Sequence, residues 1–324
     1  MNTPLAYLNG RLVPFADAAL PLHDAGFVSG ATVVDNARTF RHRPFRWEDH
    51  LARFRRDCAA CYVPLEATDG QLTATANELV EHNARLLSSG GELQLVTFAT
   101  PGPLGLYLGE ARNGPPTLGM VTYPLPFARY RKLFTEGVTL AVAGVQSARP
   151  TDLLPPRVKH RSRLHWHVAS ESLRDPASRF HAPAAVPVVL DHGGAADTAI
   201  GAVLAVAGDT VFRPVPGGTQ DSISMKVVSE LCAATGLACT DAPLDYRYLC
   251  RPPEPGDEQF VPARVTELLL AGTGFCVAGV RRFACAERAR DYAWPGPVFT
   301  KLLTAWSDLV GVDIAQQFTG ARGG

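Results

Sequence analysis

Apolar positions recur along this chain at two spacings, and each spacing predicts a different element. Leu51, Phe54, Cys58 and Cys61 repeat every three or four residues, which predicts a helix over about 48–61. A second helix is expected over 70–87, where Leu72, Leu79, Val80, Leu86 and Leu87 recur before the Gly90-Gly91 stop signal. Further helices are expected over 161–174, over 223–235 (Ile223, Val227, Val228, Leu231) and over 297–310 (Val298, Leu302, Leu303, Trp306). Short apolar runs bounded by turn residues predict strands near 5–13, 32–41, 92–99, 117–123, 137–145, 186–190, 200–207, 266–271 and 275–284.

The order of these elements predicts an α+β chain of two domains. Residues 1–123 are expected to form a small N-terminal α+β domain. Residues 124–131 are expected to be a linker, because Pro124 and Pro126 resist both helix and ladder pairing. Residues 132–324 are expected to form a larger domain that is mixed and barrel-like rather than doubly wound, given its short strands and single helices. Gly193-Gly194 and Gly217-Gly218 read as turns outside any G-x-G-x-x-G or P-loop frame, which argues against dinucleotide and Walker-type nucleotide binding.

Composition narrows the partners. The 324 residues are 46% hydrophobic and carry 31 basic and 31 acidic side chains, so no global field recruits nucleic acid or an anionic membrane, and a small-molecule ligand is expected. The start of the chain lacks a basic-then-apolar leader, and no long apolar run appears. Seven cysteines follow neither a disulfide-like nor a zinc-like rhythm, and a cytoplasmic location is expected. Cys58 and Cys61 fall on the helical stripe and are expected to pack in the core. His165 and His167 lie about 200° apart on a helix, so no metal site is expected.

Lysine is scarce, occurring only at 132, 159, 226 and 301. Lys226 and Lys301 fall on polar helix sides and Lys132 at the end of the linker. Lys159 differs, lying between Pro155-Pro156 and the expected helix from Arg161, among the cations Arg157, His160, Arg161 and Arg163. Neighbouring positive charge lowers an amine pKa, as a Schiff-base lysine requires. On spacing alone, the commoner reading is a solvated helix start.

Five blocks in order change that weighing. They are Tyr7-Leu-Asn-Gly-Arg-Leu-Val-Pro14 with His23-Asp-Ala-Gly-Phe-Val-Ser-Gly30; Arg38-Thr-Phe with Phe45-Arg-Trp-Glu-Asp-His-Leu-Ala-Arg53; Val158-Lys159; Asp197-Thr-Ala; and Ile223-Ser224 followed by Ala271-Gly-Thr-Gly274. Spanning nearly the whole chain, they resemble the class IV (fold type IV) pyridoxal phosphate (PLP) enzymes, which include branched-chain and D-amino-acid aminotransferases and aminodeoxychorismate lyase. The resemblance implies a PLP-dependent aminotransferase acting on amino acids and 2-oxo acids, with Lys159 as the Schiff-base lysine and proton shuttle. It implies that Arg53, Ile223, Ser224 and Thr273 hold the cofactor phosphate, that Asp197 faces the pyridine nitrogen, and that Arg38 with the Thr273-Gly274 turn binds substrate. It also implies a homodimer.

The chain departs from the family pattern in several places. Asp197 stands for the usual Glu, Ala202 for an Asn, Ser222 for a Gly, Ser224 for a Thr, and Leu164 for the Tyr common in branched-chain members. A PLP-dependent lyase of the aminodeoxychorismate type and a non-catalytic PLP-binding descendant therefore remain open. Asp197 itself also reads as a turn residue following Gly193-Gly194.

Overall fold

The computed structural model describes residues 3–146, 154–191, 194–216, 219–286 and 288–320. The chain divides into two compact units: Met1–Leu125 with Val158–Ser162, and Pro126–Arg157 with Arg163–Gly324.

In the first unit the elements run β1 (Leu5–Leu8), β2 (Arg11–Pro14), α1 (Ala25–Val28), β3 (Val33–Phe40), β4 (Arg43–Pro44), α2 (Trp47–Ala60), α3 (Asp69–Ala84), β5 (Leu93–Thr100) and β6 (Thr117–Pro124). Among the described residues the strands form a six-stranded antiparallel sheet in the order β2-β1-β6-β5-β3-β4. Helices α2 and α3 cover one face. There Ala37, Leu95 and Met120 of the sheet meet Trp47, Leu51, Leu72, Ala76 and Leu79, and Val33 and Ala99 meet Phe54, Cys58 and Val63. Cys58 is thus a core residue, and burial pushes its thiol pKa up. A reciprocal capping box between Thr68 and Gln71 starts α3. The helix stops before the glycine pair because Leu86 and Leu87 donate to the carbonyls of Asn83 and Ala84, tightening the last turn to i→i+3 bonds.

The second unit contains α4 (Phe127–Thr135), β7 (Val138–Gln146), α5 (Leu164–Arg174), β8 (Val186–Asp191), β9 (Gly194–Thr198), β10 (Ala202–Ala207), β11 (Thr210–Arg213), α6 (Ile223–Thr235), β12 (Ala238–Asp241), α7 (Tyr246–Leu249), β13 (Glu267–Gly272), β14 (Cys276–Cys285), β15 (Arg288–Asp291), α8 (Pro297–Val310) and α9 (Ile314–Thr319). Six of its strands pair in a ring, β10-β13-β14-β7-β8-β9, which the Asp197–Ala202 pairing of β9 with β10 closes into a barrel. Every position of β13 is buried. Such a strand has an apolar neighbour on both faces, and α6 and α8 supply one of them.

Three local expectations change. The segment 124–131 is not wholly irregular, since α4 starts directly after Pro126 and a proline ahead of a helix costs no internal hydrogen bond. Helix α5 begins at Leu164 rather than near 161, because residues 159–161 are drawn into pairing with the chain at and just before β3. Asp197 lies within β9 and not in a turn; Gly193, half of the expected turn, lies outside the described residues.

Candidate functional site

Lys159 occupies an extended segment clipped to the edge of β3. Val34 N–H donates to its carbonyl (3.0 Å), Arg161 N–H donates to Thr32 O (2.9 Å), and Val33 and His160 form an antiparallel bridge. The Lys159 N–H donates to Asp57 Oδ2 (2.9 Å), a buried carboxylate on α2 that also takes Arg56 Nη2 at 3.0 Å. Burial raises the Asp57 pKa against these partners. The main chain on both sides of Lys159 is therefore fixed, which a solvated helix start would not require.

Register assigns faces. Residues directly opposite in a ladder share a face, so His160 lies on the side of Val33 and Asp35, whereas Lys159, opposite Val34, lies on the side of Asn36 and Arg38. On the first side sits a buried charge cluster. Arg53 donates from Nε to Asp35 Oδ2 (2.8 Å), with Nη2 also 2.8 Å from that oxygen, and His50 Nδ1 is 2.6 Å from Asp35 Oδ1. All three residues are at most 4% exposed, so Arg53 is not the solvated helix arginine that its position alone suggests. Burial alone would raise the Asp35 pKa, but the charges and hydrogen bonds of Arg53 and His50 outweigh it and hold the carboxyl well below the usual range. Burial pushes His50 down despite Asp35. Because a carboxylate only accepts, Nδ1 carries the proton that His50 donates to Asp35.

Arg38 is on the other side. It is 1% exposed, its guanidinium lies 3.9 Å above the Phe40 ring, and Nε donates to Thr39 O at 3.3 Å.

In the second unit, Asp197 stands at the barrel seam opposite Ala202, which in turn pairs with Ala271. Its Oδ1 accepts the Thr198 N–H (2.9 Å). The Thr198 hydroxyl ties the β9–β10 turn, donating to Gly201 O at 2.6 Å and accepting the Ile200 and Gly201 N–H groups. The β13–β14 turn, holding Thr273 and Gly274, lies beside it: a Cβ on Gly201 would sit 2.5 Å from Ala271 O, and one on Gly272 2.3 Å from Ile200 O. Glycine is required at both positions, and the two turns share one end of the barrel. Asp197 and Thr273 are thereby brought to that end.

Ile223 and Ser224, both buried, are the first two residues of α6. Ser222 is its N-cap, with Oγ accepting the Met225 N–H at 3.4 Å. Serine at 222 is therefore a good capping residue. The positive end of this helix suits an anion. Sequence reasoning missed the partners that fix these groups, namely Asp57 under Lys159 and Asp35 between His50 and Arg53. For Asp35 the only signal was a charge on a strand whose neighbouring inward positions, Val33 and Ala37, are apolar.

Comparison with known proteins now assigns the family. The family described as amino-transferase class IV matches residues 32–283, and the chain belongs to it. It is an aminotransferase. A Methanocaldococcus jannaschii protein provisionally named a branched-chain-amino-acid aminotransferase is 23% identical over 266 residues, covering 81% of this chain and 85% of that one. The fold is similar to that of the Escherichia coli branched-chain amino acid aminotransferase (TM-score 0.76, 15% identity, 95% of each chain covered). It is also similar to the T.th. branched-chain amino acid aminotransferase solved with pyridoxamine 5'-phosphate (TM-score 0.73, 17% identity, 95% of each chain covered). The expected fold type IV architecture, mixed α and β with a barrel, is what the chain adopts.

Proposed function

We propose that this aminotransferase uses PLP, carried on Lys159 as a Schiff base, to move an amino group between an amino acid and a 2-oxo acid. The observation that carries the reading is the lysine's setting: a main chain held by Asp57 and Val34, on the face of β3 that also bears half-buried Asn36 and buried Arg38. The donor set fits the cofactor. It comprises one amine, one carboxylate at a barrel seam (Asp197), a helix start with a buried hydroxyl (Ser224 after Ile223), and a hydroxyl on the neighbouring turn (Thr273). Arg53 would serve the phosphate across the edge of β3, where the Lys159 charge is near enough to bear on His50 beside it, with a guanidinium whose orientation Asp35 already fixes. PLP supplies an electron sink for the bond broken at the substrate α-carbon.

The protein's part is positioning and proton transfer. The Lys159 amine would hold the cofactor and, once freed by the incoming substrate amine, would act as the base that takes the substrate's α-proton and delivers it to the cofactor. Asp197 would face the pyridine nitrogen, where an adjacent carboxylate favours the protonated ring. Arg38 and the Thr273-Gly274 turn hold the substrate carboxylate.

Asp197→Ala is expected to bind PLP but to turn over at least tenfold more slowly, about 1.4 kcal/mol in barrier, while Asp197→Glu keeps part of the rate. Single-turnover amino transfer measures this, and an unchanged Ala rate would reduce Asp197 to a strand residue at the seam. Assaying a panel of L- and D-amino acids against 2-oxoglutarate and pyruvate tests the reaction type, because pyruvate release without an amino acceptor would indicate a lyase. The active species is further proposed to be a homodimer. Sedimentation should give twice the chain mass, and a fully active monomer at high dilution would refute that arrangement.

Among the described residues no helix is long and apolar enough to cross a membrane.

A further inference from the structure

Strand β3 alternates two kinds of position. Val33, Asp35 and Ala37 face α2 and α3, while Val34, Asn36, Arg38 and Phe40 face the other way, on the side that the register gives to Lys159. That second side is otherwise apolar near the lysine: across the ladder, Phe98 stands opposite Val34 and Val96 opposite Asn36. Asn36 breaks this pattern. Among the described residues its Oδ1 is buried without a hydrogen-bond partner. An amide oxygen left in that condition is costly, so it calls for a hydrogen-bond donor from outside the chain.

Two residues along a strand span about 7 Å, so Asn36 stands about that far from the lysine's position. A substrate side chain of four or five atoms bridges such a gap. The chemistry of the orphan atom limits what it meets. A carbonyl oxygen only accepts, so a substrate carboxylate cannot be its partner. Arg38, the next residue on the same face, already contributes a positive charge there, which disfavours a cationic side chain. What remains is a neutral N–H or O–H donor.

We propose that Asn36 is a specificity-determining residue that touches the substrate, its Oδ1 accepting a hydrogen bond from a neutral donor on the amino acid's side chain. The enzyme then prefers amino acids of glutamine type, with a neutral N–H donor at the end of the side chain, over branched aliphatic ones. A site built to pair such a group rejects analogues lacking it more strongly than an apolar pocket rejects a polar isostere. This inference rests on Lys159 being the reactive lysine.

The test compares kcat/KM for glutamine, ornithine and leucine as donors in the PLP-loaded parent, Asn36→Leu and Asn36→Asp. Near-UV circular dichroism is recorded for each protein. Asn36→Leu is expected to lower kcat/KM for glutamine at least tenfold while leaving leucine unchanged or improved. Asn36→Asp keeps the acceptor and adds charge, and is expected to gain activity toward ornithine, so the inference stays testable if the leucine variant does not fold. A glutamine-to-leucine ratio identical in all three proteins overturns the specificity role. If borohydride traps no adduct on Lys159 of the parent, the cofactor reading fails and this inference fails with it. A trapped adduct with an unchanged ratio overturns this inference alone.

Discussion

Lys159→Ala is expected to abolish amino transfer while leaving the protein folded. The hydrogen bonds that fix this segment use the main chain, with the N–H on Asp57 and the carbonyl receiving Val34 N–H. Alanine keeps them all. What disappears is the amine, and with it both the covalent attachment and the group that moves the α-proton. Positioned proton transfer alone is worth about 10²–10⁴-fold, so loss of both roles should exceed that range. The measurement is kcat for the best donor and acceptor pair, with unfolding midpoints recorded in parallel. Wild-type transamination by the variant would remove Lys159 from the reaction. A collapse in stability together with activity would reassign it to a structural role.

Asp35→Ala is expected to cost about 3–5 kcal/mol of stability, the range for removing one partner of a buried ion pair. The loss is large because Arg53 and His50, both at most 4% exposed, would face each other without the carboxylate they share. The pH dependence follows from the lowered Asp35 pKa. A carboxyl depressed in the folded state stabilises it at pH values above its unfolded pKa of about 3.9. That stabilisation is lost as the pH falls below this value toward the folded one. Equilibrium urea unfolding should therefore show the parent losing stability more steeply than the Ala variant below about pH 4. Equal stability of the two proteins at neutral pH would mean that Arg53 and His50 find other partners.

How far the sequence disclosed this molecule depended on the range of the determining contacts. Elements with a long apolar period were readable. Helices α2, α6 and α8 fall within a residue or so of the expected spans, because one face of each is set by residues three or four apart. The strands β11, β12 and β15 were not seen, since each has four residues and alternation over so short a run carries little signal. The true start of α5 was hidden because nothing local to Arg161 announces that its N–H will pair with Thr32, far upstream in the chain. The same limit governs the candidate site. Ordered blocks pointed to Lys159, Arg53, Asp197 and Ser224. That Asp35 grips Arg53, that Asp57 anchors Lys159 and that Ala202 faces Asp197 across the barrel seam are pairings set by strand register and helix docking, which no local pattern announces.

The central claim is that Lys159 carries the cofactor, and chemical trapping tests it most directly. The protein is incubated with PLP, reduced with borohydride, digested, and its peptides mapped by mass spectrometry. The predicted result is a phosphopyridoxyl group on the peptide containing Lys159, absent from Lys159→Ala. A protein that stays unlabelled, or that carries the label on Lys132, Lys226 or Lys301 instead, contradicts it.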